Sequence, residues 1–153
     1  MRKERIRWHF AGGATFGNGN ARMLEKVVSL TAAQIKNLQS APVTLIAAPG
    51  AGKIIEIESI VAMLDYATAV FTGSNNLEFR YTGAAGDKVT ADLAYAFLNA
   101  GADAYRVVKS VVTELTPVVN ALVCVCVPTA NPGGETAAST LKFRIRYHIV
   151  TLF

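Results

Sequence analysis

The sequence predicts a mainly β protein: an antiparallel β-sandwich or jelly-roll-like barrel with one or two short helices and an extended N-terminal arm. Three observations point there. Apolar side chains recur with a period of two along several segments, most cleanly from Leu141 to Leu152. Turn signals rich in Gly and Pro separate these segments at sandwich-like intervals. The chain has 153 residues, 52% hydrophobic and only 17% charged, enough for one domain with a real core. So few charges leave little polar surface to cover the molecule, and burial against other subunits is a natural outcome.

The surplus positive charge lies in residues 1–26, where Arg2, Lys3, Arg5, Arg7, Arg22 and Lys26 face only Glu4 and Glu25, a net +4. From Val27 onward nine basic and nine acidic side chains cancel. The chain therefore divides into an arm, 1–26, and a sandwich domain, 27–153. Residues 11–20 hold four of the twelve glycines, so this stretch does not fix its own shape. Arg2, Lys3, Arg5, Arg7, Trp8 and Phe10 are the candidate interface residues, because aromatics and Arg dominate contact energetics. With Glu4 among so few cations, the arm reads as a clamp on protein in preference to nucleic acid.

The elements follow in order. Thr31 and Gln34 have capping-box spacing, and Ile35 and Leu38 share a face, which predicts one or two helical turns before Pro42. Val43–Ile46 reads as a strand, and Pro49-Gly50-Ala51-Gly52 as a hairpin turn into a long strand from Lys53 to Ala67. One parity of that strand changes from Glu56 and Glu58 to Ile60, Ala62 and Leu64, which predicts passage from solvent into two-sided packing. Leu77–Tyr81 alternates as the next strand. Leu93, Ala94, Phe97 and Leu98 recur at helical spacing after Thr90, predicting a short helix. Strands resume at Tyr105–Leu115, Val118–Val127 and Leu141–Leu152. In the last, Leu141, Phe143, Ile145, Tyr147 and Ile149 oppose Lys142, Arg144, Arg146 and His148.

Chemistry-bearing motifs are few. Ala47–Ile54 imitates a phosphate loop but lacks its first glycine and the Ser or Thr after Lys53, and a strand follows instead of a helix. Cys124 and Cys126 lie two apart in a strand, poorly oriented for a disulfide, and read as small buried hydrophobes. Only His9 and His148 could join them on a metal. No catalytic spacing or elbow is present, so no catalytic residue, cofactor or metal is assigned and the protein is not read as an enzyme. The longest apolar run, Ala121–Val127, is far short of a membrane span. Trp8-His9-Phe10 leads into glycines, unlike a secretory signal. The basic ladder on the last strand reads as a solvated face, with Glu56 and Glu58 as partners across the sheet.

The run from Ser29 to Gly83 carries "L-T-x-x-Q-I", "P-V-T-L-I-x-A-P-G-A-G-K", a long strand ending near "L-D-Y", an "F-T-G" turn and an "L-x-x-x-Y" strand. This pattern resembles small structural proteins encoded beside the major capsid gene of tailed bacteriophages, and the likeness extends loosely to residue 152. The arm lies outside it. The resemblance implies a capsid decoration or cement protein at the virion surface, assembled in the host cytoplasm. Its implied partners are the major capsid protein and copies of itself, most often as a trimer. The alternatives are a tail, collar or fibre-adaptor component and, from another class, a carbohydrate- or ligand-binding β-sandwich.

Overall fold

In a computed structural model the described residues are 22–110, 115–134 and 138–152. They form nine strands: β1 (Leu24–Leu30), β2 (Val43–Ile46), β3 (Lys53–Asp65), β4 (Phe71–Thr72), β5 (Glu78–Tyr81), β6 (Ala104–Lys109), β7 (Val123–Cys126), β8 (Gly133–Gly134) and β9 (Thr140–Thr151). A four-stranded sheet runs β1-β9-β3-β6, a three-stranded sheet β2-β7-β5, and β4 pairs with β8. Every ladder is antiparallel. The fold is thus mainly β and antiparallel, as expected, in open sheets with no closed barrel; β1 and β6 are the edges of the larger sheet.

Alternation explains the core. Leu141, Phe143 and Ile145 of β9 stand beside Ile60, Ala62 and Leu64 of β3 on one face, all of them buried. They join Leu45, Phe79, Tyr81, Val123 and Val125 of the smaller sheet in one apolar cluster. Phe143 and Phe79 meet edge to face, their centroids 5.4 Å apart at 87°, and this contact links the two sheets. Tyr81 is held across the same junction by its hydroxyl, which donates to the Ile55 carbonyl at 2.6 Å.

Helix α1 (Ala32–Ile35) forms where its capping box predicts: Thr31 Oγ1 accepts from Gln34 N, and Gln34 Oε1 accepts from Thr31 N. Four sequence expectations need correction. Residues 47–52 are not a hairpin turn, because β2 and β3 belong to different sheets and this segment crosses between them. The change of parity in β3 is a β-bulge, not two-sided packing: pairing to β9 shifts between Ile57 and Ser59. The extra residue turns Ile60, Ala62 and Leu64 to the face that Ile55 and Ile57 occupied before it. The helix expected over 90–98 is a single 3-10 turn, Tyr95–Phe97. Leu93 exchanges both backbone bonds with Leu77, and Asn76 Oδ1 accepts from Tyr95 N, so tertiary bonds take the groups a helix needs. Finally, the strand expected from Val118 is shorter, because β7 begins at Val123; the strand expected over 105–115 forms as β6, and its residues 111–114 lie outside the described residues.

The Tyr95 hydroxyl is buried without a hydrogen-bond partner among the described residues. Tyr95→Phe is therefore expected to leave stability unchanged or raise it by up to about 1 kcal/mol. Denaturant titration checks this, and a clear loss would show that the hydroxyl is bonded.

Candidate functional site

The outward face of the larger sheet carries exposed apolar and charged side chains. Its geometry follows from register. One row across the sheet reads Val27, Arg144, Val61, Val107; the row on one side reads Ser29, Lys142, Met63, Tyr105; the row on the other reads Glu25, Arg146, Ser59, Lys109. Tyr105 is 64% exposed, Val107 61% and Val27 51%. Valine and tyrosine suit strands, but nothing in their local sequence says which side they will face. The register of β6 against β3 decides it, turning Val108 into the core and leaving Val107 outside.

The basic ladder lies where alternation placed it, yet its arginines find a different partner. Glu25 of β1 forms an ion pair with Arg144 at 3.5 Å and accepts from Arg146 at 3.4 Å. Glu56 stands opposite His148 instead, and Glu58 is the bulged residue. These arginine pairs are half exposed and add little stability. Their effect is to neutralise part of the face. Lys109 and Lys142 make no ion pair among the described residues. Over the three rows, Lys109, Lys142, Arg144 and Arg146 stand with Glu25, and the face continues past Lys142 and Tyr105 to Asp65 and Asp103 and past Arg146 to Glu56, so its charges are mixed.

A second polar feature is structural. Glu78 is buried beneath Arg80 and Lys88, at 2.6 and 2.7 Å, and Lys88 also holds Asp92 at 2.9 Å. Arg80 donates to the Gly86 carbonyl as well. A Cβ on Gly86 would lie 1.7 Å from the Tyr81 carbonyl oxygen, so only glycine permits this close turn. Burial pushes the Glu78 carboxyl up, but hydrogen bonds and charge from Lys88 and Arg80 outweigh it and hold the group below the usual carboxylate value. Cys124 and Cys126 occupy the same side of the smaller sheet and are fully buried free thiols. The neighbouring Cys124 thiol and burial both push Cys126 up, which keeps it a protonated, inert side chain.

A cavity of about 360 Å3 opens between Ile54, Tyr81, Leu115, Pro117 and Val150. Its one buried hydroxyl, on Tyr81, is already engaged with Ile55. Among the described residues no group of three His, Cys, Asp or Glu could hold a metal ion, and no helix is long and apolar enough to cross a membrane. At the phosphate-loop look-alike, the Gly50 N–H donates to Asn120 Oδ1 at 2.9 Å and a strand follows. Arg2, Lys3, Arg5, Arg7, Trp8 and Phe10, the interface residues expected from sequence, lie outside the described residues. The apolar residues Val27, Val61, Tyr105 and Val107 were missed, although each is an apolar residue at the outward parity of its strand.

No protein-family model matches the chain, and no curated protein matches it. Among solved structures, it is similar to a chain of the Cyanophage Pam1 capsid asymmetric unit, at 17% identity and a TM-score of 0.49, over 95% of this chain and 94% of that one.

Proposed function

We propose that this chain is a non-enzymatic virion structural protein, a decoration or cement protein on the head of a tailed bacteriophage. The observation that carries this reading is the open outer face of the four-stranded sheet, where exposed Val27, Val107 and Tyr105 lie among charged side chains, with Arg144 between Val27 and Val61. Exposed apolar side chains on an open sheet face suit adhesion to another macromolecule. The Ser29–Gly83 pattern, which resembles that of small phage structural proteins, supports this setting. Mechanically, each subunit contributes modest contact, and symmetric repetition over the shell multiplies it. In this proposal the subunits associate as a trimer, and the arm with Trp8 and Phe10 clamps the major capsid protein or a sister subunit.

Co-sedimentation with empty phage heads tests the reading. The protein is expected to pellet saturably with heads and to remain in the supernatant with isolated tails; pelleting with tails alone would favour the tail or collar alternative. Deleting residues 1–20 is expected to weaken head binding about tenfold or more, since anchoring aromatic and Arg side chains go with them. Unchanged saturation by the truncated protein would dispose of the clamp.

A further inference from the structure

We infer that the outer face of the larger sheet pairs with the same face of a second copy, about a twofold axis parallel to the strands. This rests on reading the face as adhesive and names what it adheres to. The charges of the face are mixed, but they are sorted by strand. β9 presents Lys142, Arg144 and Arg146, whereas β3 presents Glu56, Glu58 and Asp65, all of them exposed. At the edges β1 carries Glu25 and β6 carries Lys109, with Asp103 just ahead of it engaged by the Tyr66 N–H.

A twofold along the strands lays β3 of one copy on β9 of the other, and β6 on β1, row for row. Glu25 then meets Lys109 and Val27 meets Val107, each contact made twice. Lys142 comes beside Asp65 of the second copy, and Arg146 beside its Glu56. Arg144 falls over Val61, where its stem packs while Glu25 of its own chain keeps the charge paired. The rival arrangements fail on the same count. A twofold across the strands sets β9 on β9, bringing Lys142 against Arg146 and Arg144 against itself. A uniformly acidic surface, or a nucleic acid, would match β9 and oppose β3. Shape agrees with charge, because sheets of like twist stack with their strands aligned.

Area sets the strength. Strands about 4.8 Å apart with a rise of about 3.4 Å per residue give the four strands a face on the order of 600 Å2. A standard interface buries about 800 Å2 per partner, so an isolated pair holds weakly and many pairs on one particle hold firmly. This contact is separate from the threefold one proposed above and would join one trimer to the next.

Two variants test the geometry, Val27→Cys and Val107→Cys, both at exposed positions, while the native Cys124 and Cys126 are buried. Circular dichroism verifies folding. Treated with a short bis-maleimide at high protein concentration, a mixture of the two is expected to yield covalent dimers. Either variant alone is expected to stay monomeric on a denaturing gel, since like residues lie three strand spacings, about 14 Å or more, apart. The mixed yield should fall as ionic strength rises, and about tenfold or more when Lys109→Glu is added to both proteins. A chain carrying both cysteines should link into dimers and no further. Covalent trimers from it, or links from one variant alone as strong as from the mixture, overturn the twofold. Pelleting of wild type with empty heads is scored in parallel. Mixed links absent from a protein that pellets overturn the pairing and leave the virion reading intact. Mixed links in a protein that ignores heads uphold the pairing and overturn the virion reading, and the absence of both overturns both.

Discussion

Replacing Phe143 by alanine is expected to cost about 3–5 kcal/mol, the usual range for deleting a buried aromatic ring. Phe143 sits mid-strand on β9, fully buried, with its ring edge to face against Phe79 of the opposite sheet. Its removal leaves a void at the point where the sheets meet, and the flanking strands cannot collapse into it without breaking register. For a chain of this size each kcal/mol moves the melting temperature by about 2–4 °C, so a fall on the order of 10 °C is expected. Phe143→Leu, which keeps most of the volume, is expected to lose less than half as much. Urea titration of the two variants checks the order. A loss below about 1 kcal/mol for the alanine variant would mean that the Phe79–Phe143 contact does not join the sheets.

The second large effect belongs to Glu78. Glu78→Gln keeps the shape and removes the charge, leaving Arg80 and Lys88 facing a neutral amide. Breaking a fully buried ion pair costs about 3–5 kcal/mol, but Arg80 is partly exposed and Lys88 more so, which brings the expected loss to about 2 kcal/mol. The effect depends on pH. The folded carboxyl is held below its ordinary value of 4.5, so the unfolded chain takes up the proton first as the solution is acidified. The stabilisation is complete above that ordinary value and is lost as pH falls through the lowered one. Denaturant midpoints measured from neutral to acid pH should therefore converge for wild type and variant at the acid end. A gap that stays constant with pH would show that the carboxylate charge is not what stabilises the cluster.

Strands whose signal is local were legible in the sequence. β9 alternates strictly over its buried half, and α1 announces itself through Thr31 and Gln34. What escaped depends on residues distant along the chain. β1 carries Glu25, Lys26 and Val27 on an exposed edge, so composition groups its first residues with the charged arm; its strand character comes from pairing with β9, Leu24 opposite Tyr147. For the same reason Glu25 could not be identified as the partner of Arg144 and Arg146. The segment after Thr90 has helical spacing because its apolar residues face the core, but Leu77 and Asn76 claim its backbone. The outer face of the larger sheet was half visible. Its cations follow from the alternation of β9, whereas its exposed apolar residues come together only once β1, β9, β3 and β6 lie side by side.

Among the described strands, none pairs with the next one along the chain. Such non-local topologies fold slowly, since long loops must close before any ladder is rewarded. β9, the last of the described strands in chain order, separates β1 from β3 in the larger sheet. Without β9 in place, β1 and β3 have no shared partner, and the outward rows of the larger sheet do not assemble.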